Sequence, residues 1–340
     1  MMTSPIGKAA SWVTPALSVL FVLCWSSGFI GAKLGAADAQ MTTVLAWRFV
    51  VVSVLLVVVG ALVRRGAAPP RRAARVYGHQ VVIGALSLFG YAATVFWAIG
   101  LGVSTGTTAL IDGVQPLVVA ALAGPVLGTA ATGRQWWGLL VGAAGVVIVT
   151  WTDAASAATD APWWAYLVPL IGMGCLVAAT FLERRIDSPM SVWEAFTVHC
   201  VTSAALFAAL AIATGAVVPP MQLDFWLAIG WLVVFSTLGG FGMYWVLVRR
   251  VGVTSTNTLM FLMPPVTAVW GAAMYSEPLT WTTILGLSMA LGATWVVNRG
   301  GRCGGERSDA EPSDTAAPYD AAASNASMSS ADSRPRVDTS

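Results

Sequence analysis

"TTVLAWRFVVVSVLLVVVG", residues 42–60, places one guanidinium, Arg48, inside a run that is otherwise almost wholly apolar. About twenty consecutive apolar residues form a helix long enough to cross the hydrocarbon core of a bilayer. A charge within such a run must face protein or water rather than lipid. The run therefore implies a bundle of spanning helices around it, and the rest of the chain supplies them.

The 340 residues are 57% hydrophobic and 10% charged, with a mean hydropathy of +0.74. A soluble domain would carry roughly 25% charged residues, so most of this surface must be solvated by lipid. Apolar stretches between polar punctuation predict ten spans, near 14–34, 42–63, 77–99, 106–127, 135–152, 163–182, 190–213, 225–247, 254–275 and 281–297. Only helices satisfy their own backbone when exposed to lipid in runs of this length. Lys8 ahead of the first apolar run has the look of a signal peptide, but that run has a partner in the repeat below and is expected to be retained.

With the N-terminus cytoplasmic, one set of connections holds Lys8, Arg64, Arg65, Arg71, Arg72, Arg75, Arg134, Arg184, Arg185, Arg249, Arg250 and Arg299. The opposite set holds Lys33 at a helix end and otherwise Asp38, Asp153, Asp160, Asp224 and Glu277. This segregation follows the positive-inside rule and predicts a multi-pass protein of the cell (inner) membrane with both termini cytoplasmic. Residues 300–340 are rich in Ala, Ser, Asp and Gly and are expected to form a disordered cytoplasmic tail.

A shift of 149 positions brings Met41 onto Met190, Ala46 onto Ala195, Ser87 onto Ser236, Gly90 onto Gly239 and Pro116 onto Pro265. With a one-residue slip, "GVST" at 102–105 meets "GVTS" at 252–255. Each unit, residues 1–152 and 153–299, holds five predicted spans. An odd number makes the second copy enter the membrane from the opposite side. The expected fold is thus an all-α polytopic membrane protein, ten transmembrane helices in two inverted-topology five-helix repeats, an arrangement common among secondary transporters.

"CWSSGFIGAK" (24–33), "LAWRF" (45–49), the proline-centred fourth span and "MYSEPLTW" (274–281) resemble the EamA-type family of the drug/metabolite transporter superfamily. The resemblance covers about residues 12–298. It implies a ten-helix carrier, usually an exporter of small metabolites, amino acids or drugs. Family repeats often place a Glu just after the proline-containing helix. Glu277 matches in the second repeat, whereas Gly128 stands at the first-repeat position.

Counting about 1.5 Å per residue puts Arg48 roughly 9 Å below the outer end of its helix. Asp112, six residues into the fourth span, should lie at similar depth, so an Arg48–Asp112 ion pair is expected. Pro116 has no amide to offer the carbonyl of Asp112, and Pro264 and Pro265 do the same for Met260 and Phe261. Asp112 would then present a carboxylate and a freed carbonyl in mid-membrane, suited to a proton, a cation or a substrate ammonium. Arg48 suits an anionic substrate group equally well.

Further candidates for substrate binding or coupling are Ser26, Tyr91, Gln115, His199 as a titrating relay, Tyr244 and Asn257, with Trp25 flanking an expected "SSG" break in the first helix. Glu194 is expected to pair with Arg184 or Arg185.

"GVSTG" at 102–106 has the spacing of a nucleophile elbow, but it falls in a short loop between membrane helices without the strand-to-helix setting that chemistry needs. The four cysteines lie far apart with no metal-ligand spacing, and no nucleotide-binding loop is present. The reading is therefore not an enzyme, with no cofactor, no metal and no nucleic acid. Its expected partners are a small-molecule substrate and the lipid bilayer, with a proton as candidate coupling ion. The other reading of the same fold is a non-transporting scaffold or sensor.

Overall fold

The computed structural model describes residues 6–36, 39–63, 72–127, 133–156, 160–186, 188–240, 259–305 and parts of 242–250. The described residues are helical and contain no strand, as a lipid solvent demands of a backbone that must bond to itself. The elements are α1 Ile6–Ala36, α2 Met41–Val63, α3 Ala74–Gly100, α4 Thr105–Gly113, α5 Gln115–Leu127 and α6 Gly133–Ala154. A 3-10 turn, Trp163–Leu167, leads into α7 Val168–Arg185. Then come α8 Val192–Ala213, α9 Leu223–Trp231 continuing into Leu232–Gly240, α10 Met263–Tyr275 and α11 Trp281–Gly305. Among the described residues, seven helices are long and apolar enough to cross a membrane, and Trp281–Ala293 is a shorter apolar one.

Residues Met1–Arg299 form one compact unit, and Gly300–Ser340 a second. Of the second only 300–305 are described, as helix. The expected disorder of the tail lies outside the described residues, as do Asn257, Gly128 and the start of the predicted span at 254.

Two sequence expectations are corrected. The predicted span 106–127 is two helices, α4 and α5, interrupted at Val114 just before Pro116. The break is capped rather than open: the Val114 amide points back to the carbonyls of Ile111 and Asp112, so the Asp112 carbonyl is not fully released. In the other direction, α1 runs unbroken through "SSG". The Ser27 hydroxyl bonds back to the Cys24 carbonyl at 2.6 Å, a local bond that helices tolerate in apolar surroundings.

The repeat detected by the 149-residue shift reappears as matched packing. Both third helices contain a π-helical segment at equivalent positions, Ala85–Gly90 in α3 and Leu232–Gly240 in α9. α1 packs on the π segment of α9, while α7 packs on α3. A Cβ on Gly239 would sit 3.0 Å from Cys24 Sγ of α1, and one on Gly90 would sit 3.1 Å from Cys175 Sγ of α7. The second helices, α2 and α8, lie along each other with Phe49 stacked on Phe207 at 5.5 Å. α4 meets α10, where a Cβ on Gly113 would lie 2.5 Å from Pro264 Cγ. Each half thus covers the other's third helix.

α2 shows how the buried side is chosen when a helix is apolar all round. Val54, Val57, Val58 and Leu62 are exposed to the lipid side. Leu45, Phe49, Val52 and Leu56 are buried beside Thr43, Arg48 and Ser53. The polar groups decide the inward face, because lipid and protein interior are about equally good solvents for valine and leucine.

Where α6 crosses α11, small residues permit backbone contact: a Cβ on Gly286 would lie 2.8 Å from the Gly145 carbonyl oxygen and also meet the Val149 side chain. Gly286→Val is expected to destabilise the purified protein by about 1–3 kcal/mol through overpacking. Gly292→Val, where nothing lies within 4 Å of the added Cβ, is expected to leave the thermal midpoint unchanged. Equal midpoints for the two variants would show that the crossing is not a tight contact.

Candidate functional site

The π segment of α9 is shaped by its own residues. Thr237 donates its hydroxyl to the carbonyl of Leu232, five residues back, at 3.0 Å, which suits the wider turn. π segments often mark functional positions in helices. Here the segment turns two hydroxyls toward α2. Arg48 Nε donates to Thr237 Oγ1 at 3.1 Å, and its Nη2 donates to Ser236 Oγ at 3.1 Å. The guanidinium lies over the rings of Phe49 and Phe96, 5.2 and 5.3 Å from their centroids, and the residue is only 6% exposed. Gly28 on α1 makes the approach possible, since a Cβ there would stand 2.6 Å from Ser236 Oγ.

Asp112 is not the partner of Arg48. Its Oδ2 accepts from the Tyr91 hydroxyl at 2.8 Å, and Tyr91 is the first residue after the π segment of α3. Its Oδ1 is buried with no hydrogen-bond partner among the described residues. The expected ion pair fails for a geometric reason: counting residues fixes depth along a helix but not the direction of the side chain. Arg48 is directed at α9 and Asp112 at α3, with Tyr91 in electrostatic reach of both.

Several other candidates take defined places around this centre. Ser26 Oγ donates to the Met263 carbonyl at 3.4 Å, joining α1 to the start of α10, whose first turn contains Pro264 and Pro265. Trp25 contacts Phe21 and Tyr244 as ring neighbours, at 5.8 and 6.4 Å. Gln115 is half-buried at the start of α5.

His199 belongs to a different cluster. Its Nε2 is 2.7 Å from Gln80 Oε1, and the Gln80 amide reaches Glu183 Oε2 at 3.5 Å. This fully buried Gln80 went unnoticed in the sequence. Glu194 pairs with Arg72 at 2.8 Å and closes a capping box with Ser191. The sequence expectation names Arg184 or Arg185; the bond to Arg72 ties the second repeat to the segment ahead of α3.

A second polar region lies at the N-terminus of α4. Glu277 accepts from Lys33 Nζ at 2.7 Å, from the Thr105 amide at 3.1 Å and from the Thr105 hydroxyl at 2.7 Å. Asp153 accepts from the Ser104 amide at 3.2 Å. Both carboxylates therefore sit against the positive end of α4. A shallow hollow beside them is lined by Ser104, Thr107, Thr152, Thr280 and Thr283; Arg48 and Asp112 are not part of it. Lys33 also lies over the Tyr275 ring, 4.8 Å from its centroid.

Removing one end of this junction should cost unequal amounts. Glu277→Gln loses the charge that serves Lys33 and the α4 terminus together, whereas Lys33→Met loses one partly exposed partner. Thermal melts should therefore show a larger fall for Glu277→Gln, on the order of 1–3 kcal/mol, than for Lys33→Met. The reverse order would sink the assignment of Glu277 as the shared acceptor.

The EamA-like transporter family matches the chain over residues 13–151 and again over 163–299. No match was found among curated proteins. A crystal structure of a protein 20% identical in sequence superimposes with a TM-score of 0.61, over 85% of this chain and 98% of that one; at this identity the likeness concerns the fold alone. The two family segments coincide with the two halves that pack through their π segments and second helices, and together they take in nearly all of the helical body. The chain belongs to the EamA-like transporter family.

Proposed function

We propose that the chain is a secondary carrier that exports small metabolites, amino-acid-like or drug-like solutes, across the cell membrane by alternating access, without enzymatic chemistry. The observation that carries this reading is the pair of incompletely satisfied charges in the bundle interior. Among the described residues, Arg48 is bonded only to neutral hydroxyls, and Asp112 keeps one buried oxygen without a partner. A purely structural role calls for these charges to neutralise each other, because unpaired ionisable groups at membrane depth are costly. Ligand and ion sites are where such groups are retained.

The proposed topology has ten spans in two inverted five-helix repeats with both termini cytoplasmic. It counts the broken α4–α5 unit, and the predicted span 254–275 that ends in α10, as spans alongside the longer helices. Half-helices of this kind are how carriers place backbone and carboxylate groups at the midplane. The matched packing of α1 on α9 and of α7 on α3 gives the two halves a common interface about which to rock. A proton is the proposed coupling ion, held on Asp112 Oδ1 when substrate is absent.

Comparative metabolite profiling of medium and cell interior tests this reading, with cells expressing wild type, Asp112→Asn or an empty vector at equal membrane insertion. Wild type alone is expected to enrich one solute class outside the cell. Inserted wild type that matches the empty vector would leave a scaffold or sensor as the better reading. Unchanged export by Asp112→Asn would remove Asp112 from the site.

A further inference from the structure

Building on the carrier reading and its topology, we propose that Lys33, Thr105 and Glu277 form a latch that holds the outer side of the bundle closed in the empty carrier. It joins α1 and α4 of the first repeat to the end of α10 in the second. One carboxylate makes the connection. Glu277 accepts from Lys33 Nζ at 2.7 Å, from the Thr105 hydroxyl at 2.7 Å and from the Thr105 amide at 3.1 Å. Beside it the Tyr275 hydroxyl donates to the Ile30 carbonyl at 3.0 Å, a second grip of α10 on the same end of α1.

The chain shapes α10 to deliver that carboxylate. Its C-cap, Ser276, has φ 53° and ψ 31° and is the one non-glycine residue with positive φ among the described residues. A residue with a Cβ resists this left-handed conformation. The turn closes with the Ser276 amide on the Ala272 carbonyl at 3.1 Å and the Glu277 amide on the Gly271 carbonyl at 3.4 Å, the pattern of a left-handed helix cap. Glu277 is thereby folded back along its own helix. Gly271 leaves the room for it, since a Cβ there would collide with both Glu277 Oε2 and Thr105 Oγ1. Deeper along the same contact, a Cβ on Gly106 of α4 would lie 3.0 Å from the Ala268 Cβ of α10.

The donors belong to the first repeat and the acceptor to the second, so these bonds cross the boundary that alternating access must part. They can also break without stranding a charge. The Lys33 side chain is already 36% exposed, and a hollow lined by Ser104, Thr107, Thr280 and Thr283 borders Glu277, a path for water to its carboxylate. When Glu277 leaves, Ser104 still caps α4 through its bond from the Thr107 amide at 3.2 Å. The repeat does not duplicate the acceptor, because Gly128 stands at the position that matches Glu277.

The test is thiol labelling from outside in intact cells, with a membrane-impermeant maleimide. The full-length chain has Cys24, Cys175, Cys200 and Cys303 replaced by alanine and one reporter cysteine introduced. Ser26→Cys reports on the boundary: Ser26 is buried, its hydroxyl on the Met263 carbonyl, and lies roughly 10 Å inward of Lys33 along α1. Met221→Cys, at a position 90% exposed ahead of α9, marks full access. Ser203→Cys, fully buried in α8, monitors general loosening.

When opening is fast relative to labelling, the rate follows the population of the open state. Ser26→Cys is expected to label slowly with the latch intact and roughly 5- to 50-fold faster with Glu277→Gln. Lys33→Met should give a smaller rise and Lys33→Arg none, while the Met221→Cys and Ser203→Cys rates stay the same. A brace with no part in opening would lower the thermal midpoint of Glu277→Gln and leave Ser26→Cys labelling unchanged, which overturns the proposal. Fast labelling of Ser26→Cys with the latch intact, or equal acceleration at Ser203→Cys, overturns it too. Where Glu277→Gln does not insert, Lys33→Met against Lys33→Arg decides. Export in metabolite profiling without a labelling response keeps the carrier reading and removes the latch; a labelling response without export keeps the latch and removes the carrier reading.

Discussion

Keeping Arg48 inside a bundle solvated by lipid constrains much of what surrounds it. A guanidinium at membrane depth costs about 3 kcal/mol at the least, and its printed hydrogen-bond partners lie on another helix. The compensation comes from the other repeat. Ser236 and Thr237 reach it because the backbone of α9 widens into a π turn. α1 can lie close enough to the same place because residue 28 has no Cβ. Phe49 and Phe96 keep lipid chains away from its faces. A charge, a helix irregularity and a glycine on three different helices thus form one interlocked unit.

The two polar centres differ in how far their charges are satisfied. Around Glu277, a lysine, a helix N-terminus and a hydroxyl converge on one carboxylate, which leaves that group well satisfied. Around Arg48 and Asp112 the accounts do not balance, since the hydroxyl partners are neutral and one carboxylate oxygen is bare. Satisfied junctions fix helices in place, and the proposed site lies at the unsatisfied one. The Gln80–His199 contact joins α3 to α8 and has the first character, so its histidine is tied to a neutral amide rather than standing ready in a cavity.

Much of the helical framework was legible in the sequence, because apolar run length reports directly on what lipid accepts. The repeat was legible too, and the matching of Gly90 with Gly239 found its reason in two cysteines packed against them. What escaped was azimuth. Arg48 and Asp112 were assigned to each other from depth, whereas their side chains point to different helices. A helix apolar on all sides has no periodicity from which to read a facing direction. The π segments were equally hidden, since a turn held by Thr237 on Leu232 has no spacing signature. Ser236 alone had left a trace, as the repeat partner of Ser87. In "SSG" the error ran the other way: small polar residues read as a break are there to admit a neighbouring helix.

The distance along the chain between Arg48 and Ser236 is 188 residues, and this bears on how the protein is made. Ribosomes add roughly 5–20 residues per second, so α2 is exposed to the insertion machinery for roughly 10–40 s before its hydroxyl partners exist. During that interval the guanidinium is neither in water nor in its final site. Until α9 arrives, α2 accommodates this charge by directing it toward water or the insertion channel. The first half of this molecule is not a folding unit that waits for a second; it is an unfinished one, completed late in synthesis.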